Sequence, residues 1–347
     1  MTGRAQDHRV HLIASLGGHL ELLHGLLPAL SDRERVWITS EGARAESMRA
    51  SGERVHALPR LDRSSLRLSA IVAGAVLALR ERPHLVITSG AGLAVPFAVV
   101  ARLLGAQLVF IETMARVTGG SHTGRFLRRC GARVIVQWPD LLRVYPDATV
   151  CRPMLLEDVA ALGERPGTGT FVTVGSHDVP FHRLLDAVDD AAEDGVLPAP
   201  LVVQTGVSAR SRRHGEFHQF LSPDEFRAAV EKSGTVVTHG GAGAIATALR
   251  NGRMPLVMAR TADRGEHVDD HQEQLVSRLD ELGAVVQISD RITADMVARA
   301  HAGGNLDQGP ASNLPSVADA LAHLISGGTR SARRPWSRLR RRRAAGG

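Results

Sequence analysis

The chain has 347 residues, 44% of them hydrophobic and only 3% aromatic. That is enough to fill two cores, but it supplies too few rings for a single-stranded nucleic-acid platform. The formal charge of +6 comes from the C-terminal stretch TRSARRPWSRLRRRRAAGG, which holds eight arginines and no acid; the rest of the chain stands near −2, so no nucleic-acid partner is expected.

In chain order, VHLIASL, RVWITS, HLVITS, QLVFIE and RVIVQW read as strands separated by helical patterns. The first ends in SLGGHLE, which places Gly17, Gly18 and His19 at a strand-to-helix turn. A histidine there suits a general base, although a turn-packing histidine would look the same. LSAIVAGAVLAL (Leu68–Leu79) is too short to span a bilayer. TSGAG then brings Gly90 and Gly92 to a second turn, and IETMAR brings Glu112 and Arg116 to a third. Glu112 could orient a hydroxyl or take its proton, or it could be a salt-bridged turn residue. Cys130 and Cys151 form no metal pattern or disulfide framework and fit a reducing compartment. No secretory leader precedes VHLIASL, so a cytoplasmic location is expected.

A Gly/Pro-rich break, Leu162–Thr170, is read as the linker between domains 1–161 and 162–327, with 328–347 as a basic, disordered tail. Beyond the break, TFVTVG, PLVVQTG, TVVTHG, MPLVMAR and AVVQIS repeat the alternation. Apolar strands buried on both faces between helices predict an α/β fold with parallel sheets. The halves also echo each other: LIASLGGHLELLHGLL against FVTVGSHDVPFHRLL, and TSGAGLAVPF against THGGAGAIAT. Two Rossmann-like domains facing across a cleft are therefore expected, with ligands beyond the strand ends.

TVVTHGGAGAIATAL carries the sharpest signal of the second half. His239, Gly240, Gly241 and Gly243 lie between an apolar strand and an Ala-rich helix. Glycines let a bulky anion approach the backbone, and a helix N-terminus offers N–H groups to it. An ordinary tight turn would use the same residues. Further on, RTADRGEHVDDHQEQL gathers Glu266, Asp270, His271 and Gln272 at another strand-to-helix junction, suited to sugar hydroxyls or to a solvated helix start. A metal at this cluster is disfavoured, since the chain has no Asp-x-Asp pair. GxGxxG is absent, which argues against a dehydrogenase.

SLGGHLELL, TSGAG, IETMARVTGGSHTGRFL and VQWPDLL resemble the acceptor-side, membrane-associated subunit of the UDP-N-acetylglucosamine transferase that extends dolichol-linked glycans. FVTVGSHDVPFHRLLDAV, VVQTG, VVTHGGAGAIATAL and GEHVDDHQEQL resemble its catalytic, donor-binding partner. The order on one chain is similar to the bacterial enzyme that adds N-acetylglucosamine to lipid I, and to exopolysaccharide transferases, all of glycosyltransferase family 28 type. The resemblance spans about residues 9 to 290. It implies a GT-B fold and inverting, metal-free transfer from a UDP-sugar to a lipid-linked saccharide, with no cofactor. UDP-N-acetylglucosamine is favoured; UDP-glucose and UDP-glucuronate remain open. It further implies that Gly175, Ser176, Gly240, Gly241 and Gly243 line the diphosphate and that Phe220 and Leu221 face uracil. Glu266, Asp270, His271 and Gln272 would address hydroxyls. His19 and Glu112 would act at the acceptor, beside Gly17, Gly18, Gly90, Gly92 and Arg116. The transmembrane anchor of the eukaryotic acceptor-side subunit is missing, so peripheral contact with the inner face of the bacterial plasma membrane would fall to apolar surface and the arginine tail. A transferase for soluble natural products and a non-catalytic UDP-sugar-binding protein are the competing readings.

Overall fold

The computed structural model describes residues 9–58, 68–90, 92–159, 162–163, 166–208, 214–267, 269–304, 306 and 313–327. The arginine-rich tail lies outside these residues. The described chain divides into two compact units. One comprises residues 9–113, 120–151 and 315–327; the other comprises 114–119 and 152–314. The Gly/Pro stretch read as the linker therefore lies inside the second unit. The last helix, expected with the second domain, belongs to the first.

The first unit is built on seven strands: β1 (Arg9–Ile13), β2 (Glu34–Ser40), β3 (Arg54–Leu58), β4 (Leu85–Thr88), β5 (Gln107–Ile111), β6 (Arg133–Val136) and β7 (Thr149–Val150). They pair in the order β3-β2-β1-β4-β5-β6-β7, every pair parallel. Its helices are α1 (Gly18–His24), α2 (Ala43–Ala50), α3 (Leu68–Glu81), α4 (Ala94–Leu103), α5 (His122–Arg129) and, much later, α11 (Val317–Gly327). α11 returns to this unit, where Arg133 Nη1 donates to the Leu324 carbonyl at 2.6 Å.

The second unit has six strands: β8 (Thr170–Thr173), β9 (Leu201–Gln204), β10 (Glu216–His218), β11 (Thr235–His239), β12 (Leu256–Met258) and β13 (Val286–Ile288). Their order is β10-β9-β8-β11-β12-β13, again all parallel. Its helices are α6 (His182–Glu193), α7 (Pro223–Lys232), α8 (Ala242–Arg250), α9 (His271–Glu281) and α10 (Ala294–Ala302).

Both sheets are doubly wound, with the chain reversing direction beside the first strand of each. This creates a switch point between β1 and β4, and another between β8 and β11. Ligands of open parallel sheets bind beyond the strand ends at such points. The central strands explain why the sheets form. VHLI, LVIT, TFVT and TVVT are buried throughout, and their β-branched side chains fit a pleat packed on both faces. Among the described residues, no helix is long and apolar enough to cross a membrane.

Candidate functional site

At the switch point of the first unit, Gly17 turns the chain with φ +89° and α1 begins. His19 Nδ1 lies 3.0 Å from the Ser89 carbonyl, and Ser89 Oγ donates back to the His19 carbonyl at 3.0 Å. This reciprocal pair ties the first turn of α1 to the end of β4. A carbonyl can only accept, so Nδ1 carries the proton and Nε2 is the basic nitrogen of the neutral ring. Gly90, with φ +114°, keeps its backbone close to this imidazole; a Cβ there would stand 3.6 Å from His19 Cε1. Gly17 and Gly18 are exposed at the opening of the turn, and the Gly92 carbonyl starts α4 by accepting from Val95 N at 3.2 Å.

Glu112 follows the next strand, β5, but is completely enclosed. Its Oε2 accepts from Tyr145 Oη at 2.7 Å and from Ser121 N at 2.8 Å, while Oε1 accepts from Thr113 N at 3.2 Å. Burial and the adjacent carboxylate raise the Tyr145 pKa, so the phenol stays a donor. Ser121 then caps α5 through its own Oγ, which accepts from Gly124 N at 3.0 Å. Glu112 thus fixes the start of α5 and the loop leading to it.

The second unit builds the corresponding point from glycines, each there for a different reason. A Cβ on Gly175 or on Gly241 would collide with the His239 ring. A Cβ on Gly240 would meet Gln272 at 3.0 Å and Val276 at 3.1 Å. Gly243, in the first turn of α8, has open space around it, and nothing lies within 4 Å of an added Cβ. The N–H groups of a helix's first turn have no intrahelical acceptor. At Gly243 they stand where a bulky anion can approach. Gly175 and Gly241 are glycine because the His239 ring fills the space of a Cβ, whereas Gly243 leaves that space open.

Crowding by protein atoms, and then the charge of Arg260, lower the His239 pKa to about 3, so the ring is neutral. His177 and His267 are lowered as well, each chiefly by burial. Their rings lie 5.2 Å apart, and His267 meets His271 edge-on at 4.5 Å. Ser176 is exposed between Gly175 and His177.

Leu221 N donates to Gln204 Oε1 at 3.1 Å, and Gln204 Nε2 reaches Thr173 Oγ1 at 3.0 Å. This buried chain fixes the Phe220–Leu221 segment relative to the end of β8, with the Phe220 ring half exposed. Gln204 gives no motif-level signal, because an amide ending an apolar strand looks like its boundary.

The loop from β12 to α9 is tied largely to itself. Both oxygens of Glu266 are held by the Arg183 fork, at 3.1 Å to Nε and 2.8 Å to Nη2. Gln272 Oε1 accepts from Arg260 N at 3.2 Å, and Asp270 Oδ1 accepts from Ala262 N at 2.9 Å. Asp269 binds Arg116 at 2.9 Å through Oδ2 and contacts His271 Nδ1 through Oδ1. Arg116, read as an acceptor-side residue, is thus counted with the second unit and pairs within it. In this geometry Glu266 and Gln272 shape the loop, while Asp270 is exposed at its end and His271 is partly exposed.

His267, Asp269 and His271 place three ligand-type atoms within 4.8 Å of one another. A cation there would have to compete with Arg116 for the carboxylate, and it would stand next to His177, which already feels the charge of Arg260. The donor set therefore fits a hydrogen-bonded carboxylate–imidazole pair better than a divalent ion.

Comparison with known proteins agrees with this division. Residues 63–153 match the family described as oligosaccharide biosynthesis protein Alg14 like, and residues 170–292 match the glycosyltransferase family 28 C-terminal domain. The UDP-N-acetylglucosamine transferase subunit ALG14 of Mus musculus is 41% identical over 76 residues, covering 20% of this chain and 35% of its own. The UDP-N-acetylglucosamine--N-acetylmuramyl-(pentapeptide) pyrophosphoryl-undecaprenol N-acetylglucosamine transferase of Halorhodospira halophila is 34% identical over 140 residues, covering 40% of this chain and 34% of its own. The chain thus spans about a third of the length of these relatives. The crystal structure of MurG from Acinetobacter baumannii superposes with a TM-score of 0.59 at 14% identity, over 92% of this chain and 99% of that one. The fold is GT-B, and along one chain the segment that matches the Alg14-like family precedes the one that matches the family 28 C-terminal domain.

Proposed function

We infer that this chain, an Alg14-like half joined to a family 28 C-terminal domain on a GT-B frame, is a UDP-sugar-dependent glycosyltransferase. It moves a hexosyl unit, with UDP-N-acetylglucosamine the favoured donor, onto a lipid-linked saccharide. The observation that carries this reading is the open first turn of α8 at Gly243, beside the switch point of the second sheet. It offers backbone N–H groups and the positive end of a helix to a diphosphate.

The two units divide the chemistry. The acceptor hydroxyl attacks the anomeric carbon and loses its proton to His19 Nε2. The bond from that carbon to the β-phosphate oxygen breaks with inversion, and its electron pair leaves with UDP. The N–H groups of α8 take up the developing charge without a divalent ion. Glu112 acts as a positioning residue that holds the loop toward α5, and its enclosed carboxylate does not exchange protons with the acceptor. Gln204 presents the Phe220–Leu221 backbone to the base, while Asp270 and His271 meet sugar hydroxyls.

For location we propose a peripheral membrane protein of the cytoplasmic face. Val72, Val76 and Leu79 form an exposed apolar stripe on α3, at spacings that share one helix face. The arginine tail supplies charge for an anionic surface.

Calorimetry with UDP in the presence of EDTA tests the donor assignment. Binding that survives chelation supports it. Strict dependence on magnesium or manganese contradicts it.

A further inference from the structure

Arg260 ends the apolar run of β12 and is completely enclosed, at 0% exposure. Nη1 donates to the carbonyls of Val179 at 2.9 Å, Pro180 at 3.3 Å and Glu266 at 3.4 Å, and Nη2 donates to that of Val174 at 3.1 Å. Cζ lies 4.5 Å from the centroid of the Phe181 ring. These acceptors are all neutral. Nε is buried and has no hydrogen-bond partner among the described residues.

The surrounding charges leave this guanidinium only partly balanced. The Glu266 carboxylate attracts Arg260, but the Arg183 fork holds both its oxygens, so two guanidinium groups share one carboxylate; Asp269 is bound by Arg116. Asp178, Asp263 and Asp270 stand exposed, where water and salt screen them. His177, His239 and His267 have lowered pKa values, so none adds or removes charge at neutral pH. Burial lowers the pKa of Arg260 itself to about 10, which still leaves it charged. Its field reaches the glycine turn, since it depresses both His239 and His177. A charge only partly balanced in an enclosed site is unfavourable unless something further opposes it.

We propose that the remaining counter-charge of Arg260 is the diphosphate of the bound donor. On this view Arg260 is a positioning residue: it braces the Val174–Pro180 loop by its carbonyls and supplies a fixed positive charge behind the switch point. The charge draws the diphosphate in and stabilises it as the glycosyl bond breaks. No contact between guanidinium and phosphate is needed, because an enclosed charge acts over a longer range through protein than through water. The inference rests on the UDP-sugar reading above.

The test compares UDP with uridine by calorimetry on the full chain, since uridine shares the base contacts and lacks the diphosphate. Arg260→Met should weaken UDP about tenfold or more while changing uridine by less than about twofold. Arg260→Lys carries the second arm, because a buried ammonium loses its proton far more readily than a guanidinium. In that variant the UDP-to-uridine affinity ratio should fall as pH rises from about 7 to about 8.5, whereas the wild-type ratio stays level. A bracing role alone would not move this ratio with pH, and the lysine variant serves even if the methionine variant fails to fold. Equal losses of UDP and uridine in Arg260→Met, or a pH-independent ratio in Arg260→Lys, would overturn the proposal. Failure of the wild-type chain to bind UDP would instead overturn the donor reading.

Discussion

His19 is held by the backbone of a neighbouring strand end, so its tautomer is set before any substrate arrives. Removing a general base typically lowers rate by about 100- to 10,000-fold. His19→Ala should lower turnover by that order and leave the UDP dissociation constant within about twofold, because its Ser89 contacts lie at the first switch point. Equal turnover in wild type and variant would remove His19 from the mechanism. The glycines of the second unit give a contrast at the same scale. Gly243→Val should weaken UDP with little change in melting temperature, because its Cβ meets only open space. Gly241→Ala should instead destabilise the fold, because its Cβ meets the His239 ring, and His239→Ala in the same chain should restore part of the loss. If the two glycine variants behave alike in melting and in binding, their separate roles are wrong.

Elements place these residues, and the sequence shows most elements but not all. The ten strands read from apolar runs are present because buried β-branched strands announce themselves. β3 (RVHAL), β7 (two residues) and β10 (EFH) were not legible. Each lies at or next to a sheet edge, is short or only half buried, and carries no apolar run. The glycine turns were legible as turns, but their separate causes were not, since the His239 ring that excludes a Cβ at Gly175 folds in from another strand. Arg260 and Gln204 were visible only as polar ends of apolar strands. Glu112 shows how an element depends on one such residue. Glu112→Ala would strip acceptors from Tyr145 Oη, Ser121 N and Thr113 N together. With about 1–3 kcal/mol for each buried polar group left unsatisfied, a loss of several kcal/mol is expected, read as a lower denaturant midpoint. A variant as stable as wild type would show that the loop finds other partners.

The whole molecule should weaken in mild acid, and the sign follows from two histidines. His11, between Glu81, Arg9 and Arg54, has its pKa lowered to about 4, and His239, near Arg260, His177 and His267, to about 3; burial leads in both. Below the unfolded value of about 6.5 the unfolded chain takes up protons that the folded chain refuses. Stability is therefore full above about pH 6.5 and falls toward pH 4, by about 1.4 kcal/mol per pH unit for each such histidine. Thermal melts between those limits check this, and His11→Asn should flatten the slope; a flat wild-type profile would contradict it. At the membrane, loss of residues 328–347, which lie outside the described residues, should reduce binding to anionic liposomes at low salt while sparing UDP binding. Unchanged liposome binding would leave the α3 stripe as the attachment. The central claim is transfer from a UDP-sugar to a lipid-linked acceptor. Its most direct test is UDP release from UDP-N-acetylglucosamine, UDP-glucose and UDP-glucuronate, with EDTA present, with and without a bacterial membrane lipid extract. The account predicts release that depends on the extract, is strongest with UDP-N-acetylglucosamine and is lost in His19→Ala; absence of extract-dependent release with all three donors would contradict it.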